Sequence, residues 1–358
     1  MKILVLNCGS TSIKYKLFNF QDKDKYLKEP KVITQDYVEN IKNQKSFKIH
    51  LKNVSKNLIK QGKIKSLDEI TAIGHRVVHG RDFTKSVIIT PFILKKIKEN
   101  SDLAPLHNPS NIKGIEIMQK EFPRAAQIAV FDTAFHQTMP EKAFIYGLPY
   151  KLYSKHKIRR YGFHGTSHKY VALEASKKLK KPLNKLNLIT CHLGGGSSIC
   201  AIKHGKSIDT SMGFTPLEGL IMTTRTGDFD PAIIFYLNNK LKMPLKEIET
   251  LVNKKSGTYG ISGISPNFKE VLNKAEKGHK RSKIAIETFV YKIQKYIGAY
   301  SVILGKVDAI IFTAGIGERS EKIRKQIMTA FPKIKYIVIP TDEEKMIALE
   351  TVLLIRKI

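Results

Sequence analysis

Three short stretches of this chain join glycine to small polar residues. Asn7-Cys8-Gly9-Ser10-Thr11-Ser12 closes the apolar run Lys2 to Leu6. His192-Leu193-Gly194-Gly195-Gly196-Ser197-Ser198 follows Leu188-Ile189-Thr190, and Thr313-Ala314-Gly315-Ile316-Gly317-Glu318 follows Ala309 to Phe312. A phosphate needs several N–H or O–H donors at once, and glycine lets the backbone approach closely. No Gly-Lys-Ser/Thr opens a helix, so none of the three is a P-loop. Singly, each reads as a tight turn. Two matched loops, and a third turn where glycines end a strand and start a helix, favour one nucleotide held by all of them.

Charged candidates lie between these turns. In Gly74-His75-Arg76-Val77-Val78-His79-Gly80, strand alternation places His75, Val77 and His79 on one face and Arg76 with Val78 on the other. That sets a guanidinium beside an apolar side chain, as a small carboxylate with a methyl tail requires; a strand end with solvated charge fits the same residues. Arg225 precedes Gly227 and Pro231, and an N-cap role accounts for Asp230 but not for Arg225. Asp132 ends the run Ile128 to Phe131, where it could meet magnesium or cap the next segment. His164 and His168 have i, i+4 spacing, but no HExxH glutamate lies between them and Gly165 interrupts the pattern, which argues against zinc. Thr166 or Ser167 is the expected N-cap there, with His164 on the loop before it. Glu343 follows Thr341 and Asp342, potential caps of a final helix over 343–356, and acids in a first turn are ordinary.

The elements that must position these residues alternate between strand and helix. Ile13, Tyr15 and Leu17 alternate with lysines after the first loop, and Ile199 to Ile202 follow the second, so each loop joins two strands. One hairpin device used twice suggests a duplicated domain. Helices are expected over 111–121, 167–180, 231–241 and 281–304. The class is α/β, and 358 residues make two domains the default.

No run reaches the ~20 apolar residues of a membrane span. Met1 to Leu6 is too short for a secretory core, and Cys8, Cys191 and Cys200 lack paired spacing, so a reducing cytoplasm is the expected setting. The net charge of +31 is spread along the chain, with no nucleic-acid motif, and nucleic acid is not expected as a partner. Only ten of the 62 basic residues are Arg, so an Arg inside a dense motif reflects a need for its planar fork.

Taken in order, these segments resemble the acetate kinase family over most of the chain. The likeness includes residues 7–12, 75–80, Leu103-Ala104-Pro105-Leu106-His107-Asn108-Pro109, Phe131 to Thr138, Tyr161 to His168, His192 to Ser198, Phe214 to Gly219, Thr313 to Glu318 and Ile339 to Glu344. The resemblance implies two duplicated ribonuclease-H-like domains of the actin-like ATPase kind, with an interdomain active-site cleft. Residues 1–148 plus 344–358 would form the acid- and phosphate-binding lobe, and 149–343 the nucleotide lobe. It implies reversible phosphoryl transfer from ATP to acetate with Mg²⁺ or Mn²⁺, in a homodimer. Catalytic roles fall on Arg76, Asp132, His164 and Arg225, with His107 and His192 nearby. Arg76, Val78, Leu106, Phe163 and Pro216 would hold the acid. Ser10, Ser12, Lys14, His192, Leu193, Gly194, Gly195, Gly196, Asn267, Phe268, Lys269, Gly315, Ile316, Gly317 and Arg319 would hold the nucleotide, and Asn7 and Glu343 the metal.

The chain departs from the family pattern in places. Gly195 and Arg319 stand where Asn is usual, and Arg81 and Thr223 where Gly is usual. Asn267 and Lys269 replace an acid and an Arg, and a stretch carried by relatives is missing between Phe331 and Ile337. The alternatives are propionate kinase or, in another class, a catalytically impaired polyanion-binding relative.

Overall fold

The computed structural model describes residues 1–9, 11–21, 29–104 and 107–357. They divide into two compact units, Met1–Gln137 with Asp342–Ile358, and Thr138–Thr341. The changeovers at 137/138 and 341/342 precede the expected 148/149 and 343/344.

The first unit is built on a six-stranded sheet of β1 (Lys2–Cys8), β2 (Ile13–Asn19), β3 (Lys31–Val38), β4 (Ile70–Val77), β5 (Val87–Ile88) and β6 (Ala126–Phe131), in the order β3-β2-β1-β4-β6-β5. Period-two alternation divides its core. Leu4, Leu6 and Cys8 of β1 pack with Ile13, Tyr15 and Leu17, beneath the helices Gln44–Lys60 and Asn108–Glu121. Ile3 and Val5 face the other way, onto Ile347, Ala348 and Val352 of the final helix, Glu343–Ile355. A central strand covered on both faces must be apolar throughout, and this one nearly is. Gly74 lets the final helix approach β4, for a Cβ there would lie 2.5 Å from Thr351 Oγ1 and 2.7 Å from Ile347 Cγ2.

The second unit repeats the plan. Its sheet holds β7 (Asn187–Leu193), β8 (Ser197–Lys203), β9 (Lys206–Thr210), β10 (Ala309–Thr313) and β11 (Tyr336–Val338), ordered β11-β10-β7-β8-β9. In both units a first strand pairs antiparallel with the next, which pairs antiparallel with a third. On its other side the first strand is parallel to a fourth, and that to a fifth. The duplication read from the two loops is therefore a duplication of whole sheets. Ile189, Cys191 and Leu193 join the long helix Lys280–Leu304 in one core.

Residues 20–70, opaque in the sequence, contain β3 and the helix Gln44–Lys60, whose N-cap Asn43 accepts from Ser46 N. The helices expected over 111–121, 167–180, 231–241 and 281–304 run Asn108–Glu121, Gly165–Leu179, Ala232–Asn239 and Lys280–Leu304. Among the described residues no helix is long and apolar enough to cross a membrane.

Candidate active site

In the first unit, β4 ends at Val77 and delivers Arg76 to the C-terminal edge of the sheet beside the end of β6. The Arg76 guanidinium forks onto Asp132, with Nε 3.2 and 3.1 Å from the two carboxylate oxygens and Nη2 2.6 Å from Oδ2. Nη1 donates to Asn7 Oδ1 at 3.3 Å. Asn7 in turn donates to Glu344 at 3.4 Å, and Lys14 Nζ lies 2.7 Å from the same carboxylate. Burial opposes the Arg76 charge, but Asp132, with Glu343 and Glu344 behind it, outweighs this and holds the guanidinium firmly protonated. Glu343 Oε1 is buried with no hydrogen-bond partner among the described residues. Burial pushes that carboxyl up to about 7, against the pull of Arg76.

Expected strand alternation fails just beyond Arg76. The strand stops at Val77, so Val78 and His79 are set by side-chain amides instead: Asn111 Oδ1 accepts from Val78 N, and Asn108 Oδ1 from His79 N, both at 3.1 Å. His75 is a core histidine bonded to Gln127 at 2.7 Å, and burial drives it down to about 4, so it is neutral and no part of a cationic cluster. Val78 is buried; Ser12 lies over Gly9, whose N–H bonds to Ser12 O. Ser10 and Leu106 lie outside the described residues.

In the second unit, His164, Gly196 and Arg225 converge. A Cβ on Gly196 would sit 3.3 and 3.4 Å from Cε1 and Nε2 of His164, and 3.6 Å from Arg225 Nη1. Glycine is thus what lets this loop lie against both side chains. Arg225 Nη1 donates to Pro216 O at 3.3 Å and lies 3.7 Å from Met222 Sδ. Among the described residues it has no carboxylate partner, and burial alone lowers its affinity for its proton.

The helix behind His164 begins at Gly165, so the expected cap at Thr166 or Ser167 is replaced by His164 itself, in left-handed conformation with φ 57°. Ser167 is buried within the helix and bonds His192 Nδ1 at 2.8 Å. His192 stacks on His164 with ring centroids 4.2 Å apart. Ser198 Oγ lies 2.9 Å from His164 Nδ1 and 2.8 Å from His168 Nε2, and His168 Nδ1 lies 2.7 Å from Thr190 Oγ1. His168 is therefore a buried orienting group rather than a metal ligand.

Leu193 is buried in the core behind the loop, and Gly195 O accepts from Thr223 Oγ1 at 3.1 Å. A Cβ on Gly194 would lie 3.6 Å from Ala314 Cβ, so the second loop and the third turn are neighbours. The six-residue helix Ala314–Arg319 starts directly from β10; Ile316 and Gly317 are buried, Gly315 and Arg319 exposed. Asn267 caps the helix Phe268–Glu276, and Lys269 is exposed. The Phe268 ring is committed to the core, 4.9 Å from Phe289, so only the rest of that segment remains open to a ligand. Phe163 is buried and Pro216 half-buried.

Reading the sequence missed Glu344, hidden beside Glu343 in a helix turn where acids are common. It also missed Asn108 and Asn111, whose i, i+3 spacing on one helix face was the available signal.

Two α/β units of one topology, each holding a glycine hairpin loop and an arginine, form a duplicated, actin-like architecture. Residues 2–348 match the model of the acetokinase family. An acetate kinase of Caldicellulosiruptor saccharolyticus is 47% identical over 401 residues, spanning 100% of both chains. That of Carboxydothermus hydrogenoformans is 48% identical over 396 residues, spanning 99% of each. The crystal structure of Porphyromonas gingivalis acetate kinase superposes with a TM-score of 0.90 at 40% identity, covering 99% of each chain. A propionate kinase from Francisella tularensis superposes at 0.87 with 43% identity, covering 98% of each. The chain belongs to the acetokinase family, kinases that use a carboxyl group as phosphoryl acceptor.

Proposed function

We propose that this chain transfers a phosphoryl group reversibly between ATP and acetate, giving acetyl phosphate and ADP, and that Arg76 and Arg225 act on the same substrate. The observation that carries this reading is the half-buried Arg225, which lacks a carboxylate partner among the described residues and shares one contact surface with His164 and the Gly196 loop. A partly desolvated guanidinium with no carboxylate beside it is suited to receive an anionic ligand.

The chemistry asks for cations more than for a base. Acetate is ionised at pH 7, so one of its oxygens can attack the γ-phosphorus directly while the bond to ADP breaks and ADP leaves with the electron pair. The difficulty is the meeting of two anions, and an in-line, loose transition state spreads its charge over oxygens that Arg225 and His164 would bind. Arg76, held by Asp132 and Asn7, would orient the acid, with Val78, Leu106, Phe163 and Pro216 around its methyl group. The glycine loops, Lys14, Ser10 and Ser12 would hold the nucleotide phosphates.

Among the described residues no group of three or more His, Cys, Asp or Glu is arranged as a metal cage. Mg²⁺ needs less: one or two carboxylates plus substrate phosphates suffice. The lone buried Oε1 of Glu343, with Asp132 and Asn7 in the same polar group, is a hard-oxygen set that fits it. Bound there, the ion would neutralise phosphate charge.

A homodimer is part of the reading. Ile233, Phe235 and Tyr236 on one helix and Leu241 and Leu245 beside it are exposed in the second unit, an apolar surface that a second copy would cover. Cytoplasmic placement is also part of it, and three buried free thiols fit a reducing compartment. Propionate is the second acceptor to test, because a propionate kinase is among the structural relatives and one methylene changes pocket binding by only ~1–3 kcal/mol. Hydroxylamine trapping of acyl phosphate, with acetate, propionate and butyrate in turn, tests the proposal. Hydroxamate formed from acetate only with both ATP and a divalent cation is expected; none from any acid overturns it.

A further inference from the structure

Behind the loop that carries Pro216 and leads to Arg225 lies a polar cluster to which no role has been given. Tyr146 OH donates to Glu218 Oε2, and Arg160 Nη2 donates to Glu218 Oε1. The same tyrosine oxygen accepts from Phe214 N at 2.8 Å. Arg160 Nη1 also donates to the carbonyls of Thr210, Ser211 and Met212 at 2.8, 3.0 and 3.3 Å. The loop is thus pinned at Phe214 through its backbone and at Glu218 through its side chain, and Pro216 lies midway between the pins.

The backbone is shaped for this cluster. A Cβ on Gly213 would lie 1.6 Å from Glu218 Oε2 and 2.4 Å from Tyr146 Oη, so the space a side chain would fill holds the carboxylate and the phenol. Gly213 O accepts from the N–H groups of Tyr161 and Gly162 at 3.1 and 3.2 Å, which ties the loop base to the segment bearing Phe163 and His164. At the far side Pro216 O receives Arg225 Nη1 at 3.3 Å. One polar group therefore borders both acid-pocket residues of this unit and the carbonyl that orients Arg225.

We infer that Tyr146, Glu218 and Arg160 form a positioning clamp that fixes Pro216, and through its carbonyl Arg225, so that acceptor-acid affinity depends on three residues that touch no substrate. This rests on the acid-kinase reading given above. Breaking the clamp should move the KM of the acid more than that of the nucleotide, because its bonds run to the segment around Pro216 and not to a glycine loop. A merely structural role would instead lower Tm and scale all activity with the folded fraction.

The test is Tyr146→Phe, which removes one hydroxyl and fits the same space. An acetate KM raised about fivefold to tenfold is expected, with the ATP KM and Tm nearly unchanged, on the scale of one hydrogen bond lost from a supporting contact. Glu218→Gln keeps shape while weakening both bonds; it should give the same split and serves if Tyr146→Phe does not fold. An unmoved acetate KM, or a loss that follows Tm alone, overturns the clamp while the unaltered enzyme still makes acetyl phosphate. Failure of the unaltered enzyme to phosphorylate any acid overturns the functional reading and the clamp with it.

Discussion

The two candidate arginines, one in each unit, are held in opposite ways. Arg76 is held by a carboxylate fork and by Asn7, so it is positioned before any ligand arrives. Among the described residues Arg225 is oriented by a carbonyl and a sulfur, leaving most of its donors for an anion. Lysine keeps charge but loses the fork, so Arg225→Lys should lower kcat about 10²–10³-fold with an unchanged Tm. Stopped-assay turnover near normal in a folded variant would remove Arg225 from the reaction. His75 gives a prediction with a definite sign. Its folded value is lowered from 6.5 to about 4, so its contribution to stability is complete above 6.5 and is lost as pH falls toward 4. His75→Gln can keep the bond to Gln127 without titrating. The stability difference between wild type and this variant, from urea unfolding, should shift against wild type by about 2 kcal/mol from pH 7 to pH 5. A difference independent of pH would contradict a neutral, buried imidazole. In the sequence, His75 and Arg76 look alike as cationic candidates. Only Gln127, fifty-odd residues on, separates them, and no local pattern carries that contact.

Among elements, local chemistry made most of the fold legible. Alternation showed the strand after the first glycine loop, and continuous apolar runs showed those around the second loop and before the third turn, since period two survives where one face is exposed and vanishes where both are buried. Exact ends were less legible, because tertiary partners set them. Asn108 and Asn111 end the pairing after Val77 by taking over the next N–H groups, and His164 caps its helix two or three residues earlier than hydroxyl caps suggest. The final helix is read from Asp342, which caps it by accepting from Lys345 N. Its return to the first sheet depends on a distant glycine. Gly74→Ala would drive a methyl into Thr351 and Ile347, and should cost about 1–3 kcal/mol in chemical unfolding of the purified protein. An unchanged midpoint would mean that the helix can shift away from β4 freely.

For the molecule as a whole, the resemblance visible in the motifs extends to a family match over residues 2–348 and to duplicated sheets of one strand order. The charge of +31 is the feature that this account leaves without a catalytic task. It is spread over both units, partly paired as in Lys98–Glu116 and Lys322–Glu276, and supplies no base-reading element. Duplex DNA should therefore bind only weakly, with a Kd above about 10⁻⁶ M at physiological salt and a steep loss as salt rises. Salt-resistant nanomolar binding in a filter or anisotropy titration would favour a polyanion-binding role instead.

The central claim is that residues from two compact units act together on one transferring phosphoryl group. A double-mutant cycle on Arg76→Ala and Arg225→Ala, read as the rate of hydroxamate formation from acetate and ATP, tests it most directly. Groups that serve one transition state are strongly non-additive, so the double variant should be scarcely slower than the worse single variant. Two independent losses that multiply, or a single variant with full activity, would contradict it.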